Sequence, residues 1–184
     1  MGYNDGLLRI EEWRPDPASA AHTEDLQALA EILHATVHAG ASVSFILPFT
    51  IEAARNYWVE RILPSIVAGG RRVLLARSDG FITGAVQLDL AMPPNQQHRA
   101  EVAKLLVHPN ARRRGIGRAL MDAVEAVARS EGRTLLTLDT RTGDAAEPLY
   151  RSMGYVTAGI IPNYARATDS PELHATTFMY KFLE

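Results

Sequence analysis

The chain contains no cysteine. Disulfide scaffolds, thiolate zinc sites and cysteine nucleophiles are therefore excluded. It also lacks a surplus of positive charge, since 19 Lys and Arg stand against 21 Asp and Glu for a formal net charge of −2. That balance excludes a generally basic nucleic-acid binder, although a local basic patch is compatible with it. No stretch approaches the roughly 20 consecutive apolar residues of a membrane span. The first six residues, Met1 to Gly6, have neither the basic start nor the following apolar run of a secretory signal. A cytoplasmic protein is expected. Internal repeats, low-complexity tracts and Pro-, Gly- or Ser-rich linkers are missing as well. The 184 residues are thus expected to form one domain, 1–184, with a single sizeable core.

What is present is a mixture of two periodicities. Leu7 to Trp13 reads as a short strand halted by Pro15 and Pro17, and Thr23 to His38 as an amphipathic helix. Gly40 to Pro48 reads as a loop. A second helix is expected from Thr50 through Ile62, kinked or ended by Pro64. Then the period changes. Arg72–Arg77 and Phe81–Ala91 are strand-like and joined by Ser78-Asp79-Gly80, a hairpin signal because Gly accepts the positive φ of tight turns. Arg99–Val107 is a further strand and Ile116–Glu131 a helix, with Gly132 placed as its C-terminal cap. Leu135–Thr140 is nearly continuous in apolar residues, as expected for a strand buried on both faces. A short helix over Ala145–Met153 and strands over Tyr155–Ile161 and Ala175–Phe182, flanking an irregular loop, complete the chain. The order β-α-α-β-β-β-α-β-α-β-β implies an α/β (α+β) mixed sheet. It would be mostly antiparallel, with a central parallel strand–helix–strand crossover from Glu101 to Thr140 and helices on both faces.

The most informative stretch joins the strand ending at Val107 to the helix opening at Ile116: His108-Pro-Asn-Ala-Arg112-Arg113-Arg114-Gly115-Ile116-Gly117-Arg118-Ala119. Free backbone N–H groups at a helix start, together with the positive end of its dipole, attract anions. Glycines at 115 and 117 remove side chains that would keep a phosphate away, and four arginines add charge-assisted donors. The pattern is neither a P-loop, which needs G-x-x-x-x-G-K-[ST], nor a dinucleotide fingerprint, whose third glycine would fall at Leu120. An exposed arginine-rich turn easing a helix start is the plainer alternative.

Arg112-x-x-Gly115-x-Gly117 matches the Q/R-x-x-G-x-G/A signature of the GCN5-related N-acetyltransferase (GNAT) superfamily. Leu149-Tyr150-Arg-Ser-Met-Gly154-Tyr155 resembles a second feature of that family, in the right order and spacing. A narrower resemblance, to the tabtoxin-resistance acetyltransferases, spans roughly residues 30 to 183. It rests on Thr36–Val43, Arg99–Leu105, Leu138-Asp139-Thr140 and Leu173–Thr176. The resemblance implies an acyl-CoA N-acyltransferase fold and acetyl-CoA as co-substrate. The activity it implies is acetyl transfer to a primary amine of a small molecule, such as an amino-acid-like toxin or antimetabolite, by direct attack in a ternary complex. A protein N-acetyltransferase and a non-catalytic acyl-CoA sensor on the same fold are the alternatives. The cofactor-binding residues it implies are Leu105, Leu106 and Val107 by their backbone, and Arg112, Arg113, Arg114, Gly115, Ile116, Gly117, Arg118 and Ala119. Gly143 departs from the pattern: many members carry Asn seven residues before the tyrosine.

Acetyl transfer needs a neutral amine, a stabilised oxyanion and a proton for the leaving thiolate. Tyr150 is the candidate proton donor, since a phenol of pKa about 10 is protonated at neutral pH; packing against the sheet is its plainer reading. Glu101 and Asp139 are candidate bases. Regular alternation puts Glu101 on one face with Ala103, Leu105 and Val107, and Asp139 with Leu135 and Thr137. Asp139 interrupts an apolar run, where a carboxylate is costly unless paired or functional. Capping a turn at the strand end or pairing with an arginine is the alternative for Asp139, and a solvated strand edge the alternative for Glu101. His34 and His38 sit four apart, but no third ligand accompanies them, so no metal site is expected. His174, beside the final strand, is a candidate for the acceptor site, and His22, His98 and His108 have no arguable role. Acceptor selection is expected in Thr36–Phe45 and Pro162–His174, which are polar and punctuated by Gly or Pro. The loops 40–48 and 163–173 are expected to roof a small pocket. The expected partner is a small-molecule amine, with no nucleic acid and no membrane, and a homodimer is left open.

Overall fold

The computed structural model describes residues 8–184 apart from Pro17. Leu7 of the expected first strand, the N-terminal stretch read for a signal, and Pro17 lie outside the described residues. The elements run β1 (Arg9–Glu12), α1 (Ala20–His38), α2 (Ile51–Asn56), a π-helical segment (Tyr57–Ile62), α3 (Leu63–Val67), β2 (Arg71–Ser78), β3 (Phe81–Asp89) and β4 (Arg99–Val107). They continue with α4 (Ile116–Ser130), β5 (Leu135–Arg141), α5 (Ala146–Ser152), β6 (Val156–Arg166) and β7 (Leu173–Phe182). Among the described residues the sheet has seven strands in the order β1-β2-β3-β4-β5-β7-β6, antiparallel except for the central β4–β5 pair. This is the mixed sheet and the element order expected from the two periodicities.

Alternation along the strands sends side chains into two apolar layers. Leu74, Ala76, Val86, Leu88, Ala100, Val102, Leu136 and Leu138 pack with Leu120, Met121 and Val124 of α4 on one face. Val73, Leu75, Ala85 and Leu106 pack with Leu29, Leu33 and Trp58 on the other. Trp58 anchors the second layer. It is fully buried and donates its indole N–H to the Leu29 carbonyl at 3.1 Å. Trp58→Ala removes that bond and leaves a large cavity, so it should lower stability by about 3–5 kcal/mol. Urea unfolding with an unchanged m value would measure it.

The fold corrects three expectations. Of the kink or end expected at Pro64, the end does not occur: the helical segment runs on through it. The π-helical segment, closed by Leu63 N–H to the Trp58 carbonyl, puts Pro64 in the first turn of α3, where its missing N–H needs no acceptor. Leu135–Thr140 is not buried on both faces: Leu136 and Leu138 are buried, whereas Asp139 is exposed on the other side. The irregular loop expected between the last two strands shrinks to residues 167–172, because β6 runs on to Arg166 and β7 begins at Leu173. β6 tolerates Pro162 because it is an edge strand and its pairing is irregular between Ile161 and Ala165.

Candidate active site

β4 and β5 stay paired over three residues only, Arg99↔Leu135, Ala100↔Leu136 and Glu101↔Thr137. Beyond that point β4 continues along β3 to Val107 and β5 continues along β7 to Arg141. Between them opens a wedge whose inner strand edges have no ladder partner among the described residues. Backbone groups there are free to bond whatever enters.

A bulge shapes one wall of this wedge. Ala85 pairs with Leu106 but Gln87 with Ala103, so Val86 alone opposes Lys104 and Leu105. Lys104 takes φ +50°, a left-handed value, and its ammonium donates to the Ser44 hydroxyl at 2.9 Å. The extra residue breaks the alternation expected for this strand. Glu101 stays on the α1 face, whereas Leu105 and Val107 turn to pack on the α4 side and Leu106 is buried on the α1 side. Glu101 therefore does not share a face with Leu105 and Val107. Asp139 does share one with Leu135 and Thr137, because Leu136 and Leu138 point to α4.

The arginine loop closes the wedge at the start of α4. Gly115 is its N-cap at φ +77°, a conformation that suits glycine. The first helical bond runs from Ala119 N–H to the Gly115 carbonyl at 3.0 Å, leaving the amides of Ile116, Gly117 and Arg118 without intrahelical acceptors. A Cβ on Gly117 would lie 3.3 Å from a Leu149 methyl, 3.9 Å from one of Leu105 and 4.0 Å from one of Val107. A side chain there would press on the Leu149 methyl. Arg112 reaches back to the Val107 carbonyl at 3.4 Å, and Arg118 donates to the Ser152 hydroxyl at 2.6 Å. Arg113 and Arg114 are exposed and hold no hydrogen bond or ion pair among the described residues. The Ile116 side chain belongs to the core, so only its amide faces the loop. Free amides, uncommitted guanidiniums and an unpaired strand edge in one line fit the pyrophosphate and pantetheine arm of acetyl-CoA.

The three candidate catalytic residues converge on the wedge from opposite faces. Glu101 is half-exposed, 46% by side chain, with Arg99 4.0 Å away. Burial raises its carboxyl above the ordinary range, and so do the Asp139 and Asp89 charges, against weaker opposition from Arg99 and Arg71. Tyr150 comes from α5, is buried, and lies with its ring centroid 5.9 Å from that of Tyr155. Burial, then the charges of Asp139 and Asp144, push its ionisation well above that of a free phenol. The Asp139 charge thus bears on both other residues. Gly143 stands at φ +79° and donates its N–H to Glu147 at 2.8 Å. Glu147, also held by Arg151, stays below the ordinary carboxyl range, chiefly through that backbone bond.

Sequence reasoning missed a polar network below Glu101. Arg71 bonds Asp89 and Gln87, and the Tyr57 hydroxyl meets the fully buried Gln87 carbonyl oxygen at 3.2 Å. The signal was available: Gln87 interrupts the apolar run Ala85-Val86-Gln87-Leu88 as Asp139 interrupts its own strand. A cavity of about 210 Å³ opens beside Asp139, between the 42–46 segment, Arg141, and residues 164–166 of β6. His174 is not among its lining residues. His34 and His38 stack at 4.0 Å, with the His38 Nδ1 against the His34 carbonyl, and no third candidate metal ligand joins them among the described residues. No helix among those residues is long and apolar enough to cross a membrane.

Comparison with known proteins follows the same line. The sequence model of the acetyltransferase (GNAT) family matches residues 41–155. An uncharacterized N-acetyltransferase from the hisH-hisA intergenic region of Azospirillum brasilense is 33% identical over 128 residues, 68% of this chain and 74% of the relative. Among solved structures, an N-acetyltransferase from Staphylococcus aureus Mu50 superposes with a TM-score of 0.78 at 20% identity, over 97% of this chain and 99% of that one. The yncA protein of Salmonella typhimurium, solved with its cofactor acetyl-CoA, gives 0.75 at 19% identity over 96% and 94% of the two chains. At such identities the structural likeness speaks for the fold, and the family match adds the chemistry. The chain belongs to the GNAT acetyltransferase family, whose co-substrate is acetyl-CoA.

Proposed function

We propose that the protein acetylates the primary amine of a small molecule in a ternary complex, with the acceptor entering on the α1 face. The observation that carries this reading is the cavity of about 210 Å³ with Asp139 in its wall. It opens beside the wedge, and its volume lies below the roughly 300–1,000 Å³ of drug-sized sites. A cavity of that volume accommodates a small acceptor. A sensor that only binds acyl-CoA needs the arginine loop but not Asp139 in the wall of an acceptor cavity.

Bound acetyl-CoA supplies an activated acetyl group. The chain's residues do the rest. The amides of residues 116–118, with Arg113 and Arg114, hold the anionic end, and the unpaired β4 edge offers an N–H to the developing oxyanion. Glu101 and Asp139 take the proton that an ammonium must lose, directly or through water. Tyr150, kept protonated by burial, returns a proton to the leaving thiolate. With no cysteine in the chain, a cysteine-bound acyl-enzyme is excluded, which supports direct attack.

Release of free thiol from acetyl-CoA across a panel of primary amines tests the reading. Turnover with small amines supports it, and turnover with peptide or protein acceptors alone would replace it. Gly117→Val checks the loop separately. The new side chain crowds Leu149 at the start of α4, so acetyl-CoA should bind at least about tenfold more weakly, roughly 1.4 kcal/mol. Unchanged affinity by calorimetry in a folded variant would remove the loop from the binding site.

A further inference from the structure

The walls of the acceptor cavity are not neutral. Asp139 and Arg141 lie two residues apart on one face of β5, about 7 Å along the strand. Arg166 enters from the end of β6. Arg141 is loosely held, 3.4 Å from an Asp144 carboxylate oxygen and 3.4 Å from the Gly40 carbonyl. Arg166 uses only its Nε, toward the Ser170 carbonyl at 3.1 Å, and its two terminal nitrogens have no partner among the described residues. A third cation, Lys104, is bonded to Ser44 of the same wall. Asp139 is the only carboxylate among the lining residues. A simple alkylammonium would bring its charge among guanidiniums with one carboxylate to receive it. A molecule bearing an amine and an acid group satisfies both ends of the cavity, because guanidiniums match carboxylates with paired donors.

We propose that Arg141 and Arg166 form a carboxylate subsite, and that the acceptor is a small amino acid whose amine lies toward Asp139 and whose carboxylate lies against the two guanidiniums. Phe45, Ile46 and Tyr164 leave an apolar mouth for its side chain. The inference rests on the transferase reading above and adds a substrate class to it.

The test compares thiol release for matched triads built on glycine, leucine and phenylalanine: the free amino acid, its primary amide, and the amine without the carboxyl group. Wild-type protein should favour at least one free amino acid over its amide and its amine by tenfold or more in kcat/KM. Arg166→Gln, at an exposed side chain that supports no core packing, should raise KM for that amino acid at least tenfold. KM for the amide and for acetyl-CoA should stay within twofold. Arg141→Lys, which keeps the charge but loses the paired donors, should weaken the same preference without the risk of Arg141→Gln unfolding the Asp144 turn. Amides or plain amines that turn over as well as the amino acids would overturn the subsite and leave the transferase reading standing. So would a preference that survives both substitutions. Absence of thiol release with every member of the panel would overturn both.

Discussion

Asp139→Asn and Glu101→Gln should each lower kcat by about 10² or more, equivalent to about 2.7 kcal/mol of barrier, with acetyl-CoA affinity nearly unchanged. Both substitutions keep shape and hydrogen bonding while removing a charge, and neither residue contacts the arginine loop. The pH profile carries the sharper signature. A base works only when deprotonated, and Glu101 is held above the ordinary carboxyl range by burial and then by the Asp139 charge. Activity should therefore fall on the acid side at a pH above that of a free carboxyl. Asp139→Asn removes the second of those causes, so Glu101 ionises more easily and the acidic limb should move to lower pH. Glu101→Gln should flatten the limb instead. If both variants keep near-wild-type kcat and the same limb, bulk solvent deprotonates the amine and the two carboxylates are structural.

Tyr150→Phe should lower kcat by about 10², the lower end of what a positioned proton donor contributes. The ring is buried against Tyr155 and the α4-side core, so phenylalanine preserves the packing and the melting temperature should barely move. Burial raises the Tyr150 ionisation further above neutrality. The hydroxyl therefore stays protonated across the working range, and the basic limb of the wild-type profile should belong to another group. Better leaving groups need less protonation. An acetyl thioester of an acidic aromatic thiol, bound in place of acetyl-CoA, should recover part of the lost rate. A variant with full activity would assign Tyr150 to packing alone.

Most of the architecture was legible because it rests on local rules. Period-two alternation marked the strands, a 3.6-residue stripe marked α4, and Asp79-Gly80 marked the β2–β3 turn. The arginine loop was legible for a similar reason. A helix start with glycines and cations has its chemistry written into ten consecutive residues, and Gly115 does take the positive φ that its position needs. Asp139 stood out because charge in an apolar strand has a cost that some partner or function must offset, whereas Glu101 was marked by the family resemblance. Gln87 carried the same signal on β3, and the network it holds with Arg71 and Tyr57 went unread.

The tertiary structure decided what depends on pairing between distant segments. Nothing local to Arg99–Val107 says that its ladder with β5 stops at Glu101, or that Val86 opposes two residues and turns Leu105 away from Glu101. A bulge is a property of two strands together, and the strand's own composition reads as unbroken alternation. The π-helical segment that carries the chain into Pro64 contains Trp58, whose indole bonds the Leu29 carbonyl of α1. The cavity is the clearest case. Its walls come from residues 42–46, 139–141 and 164–166, which only chain folding brings together. The sequence by itself determined the family, the glycine- and arginine-rich helix start and the candidate carboxylates. The charge of the space beside Asp139 was decided by the folded sheet, because electrostatic complementarity acts through distance in space and is blind to distance along the chain.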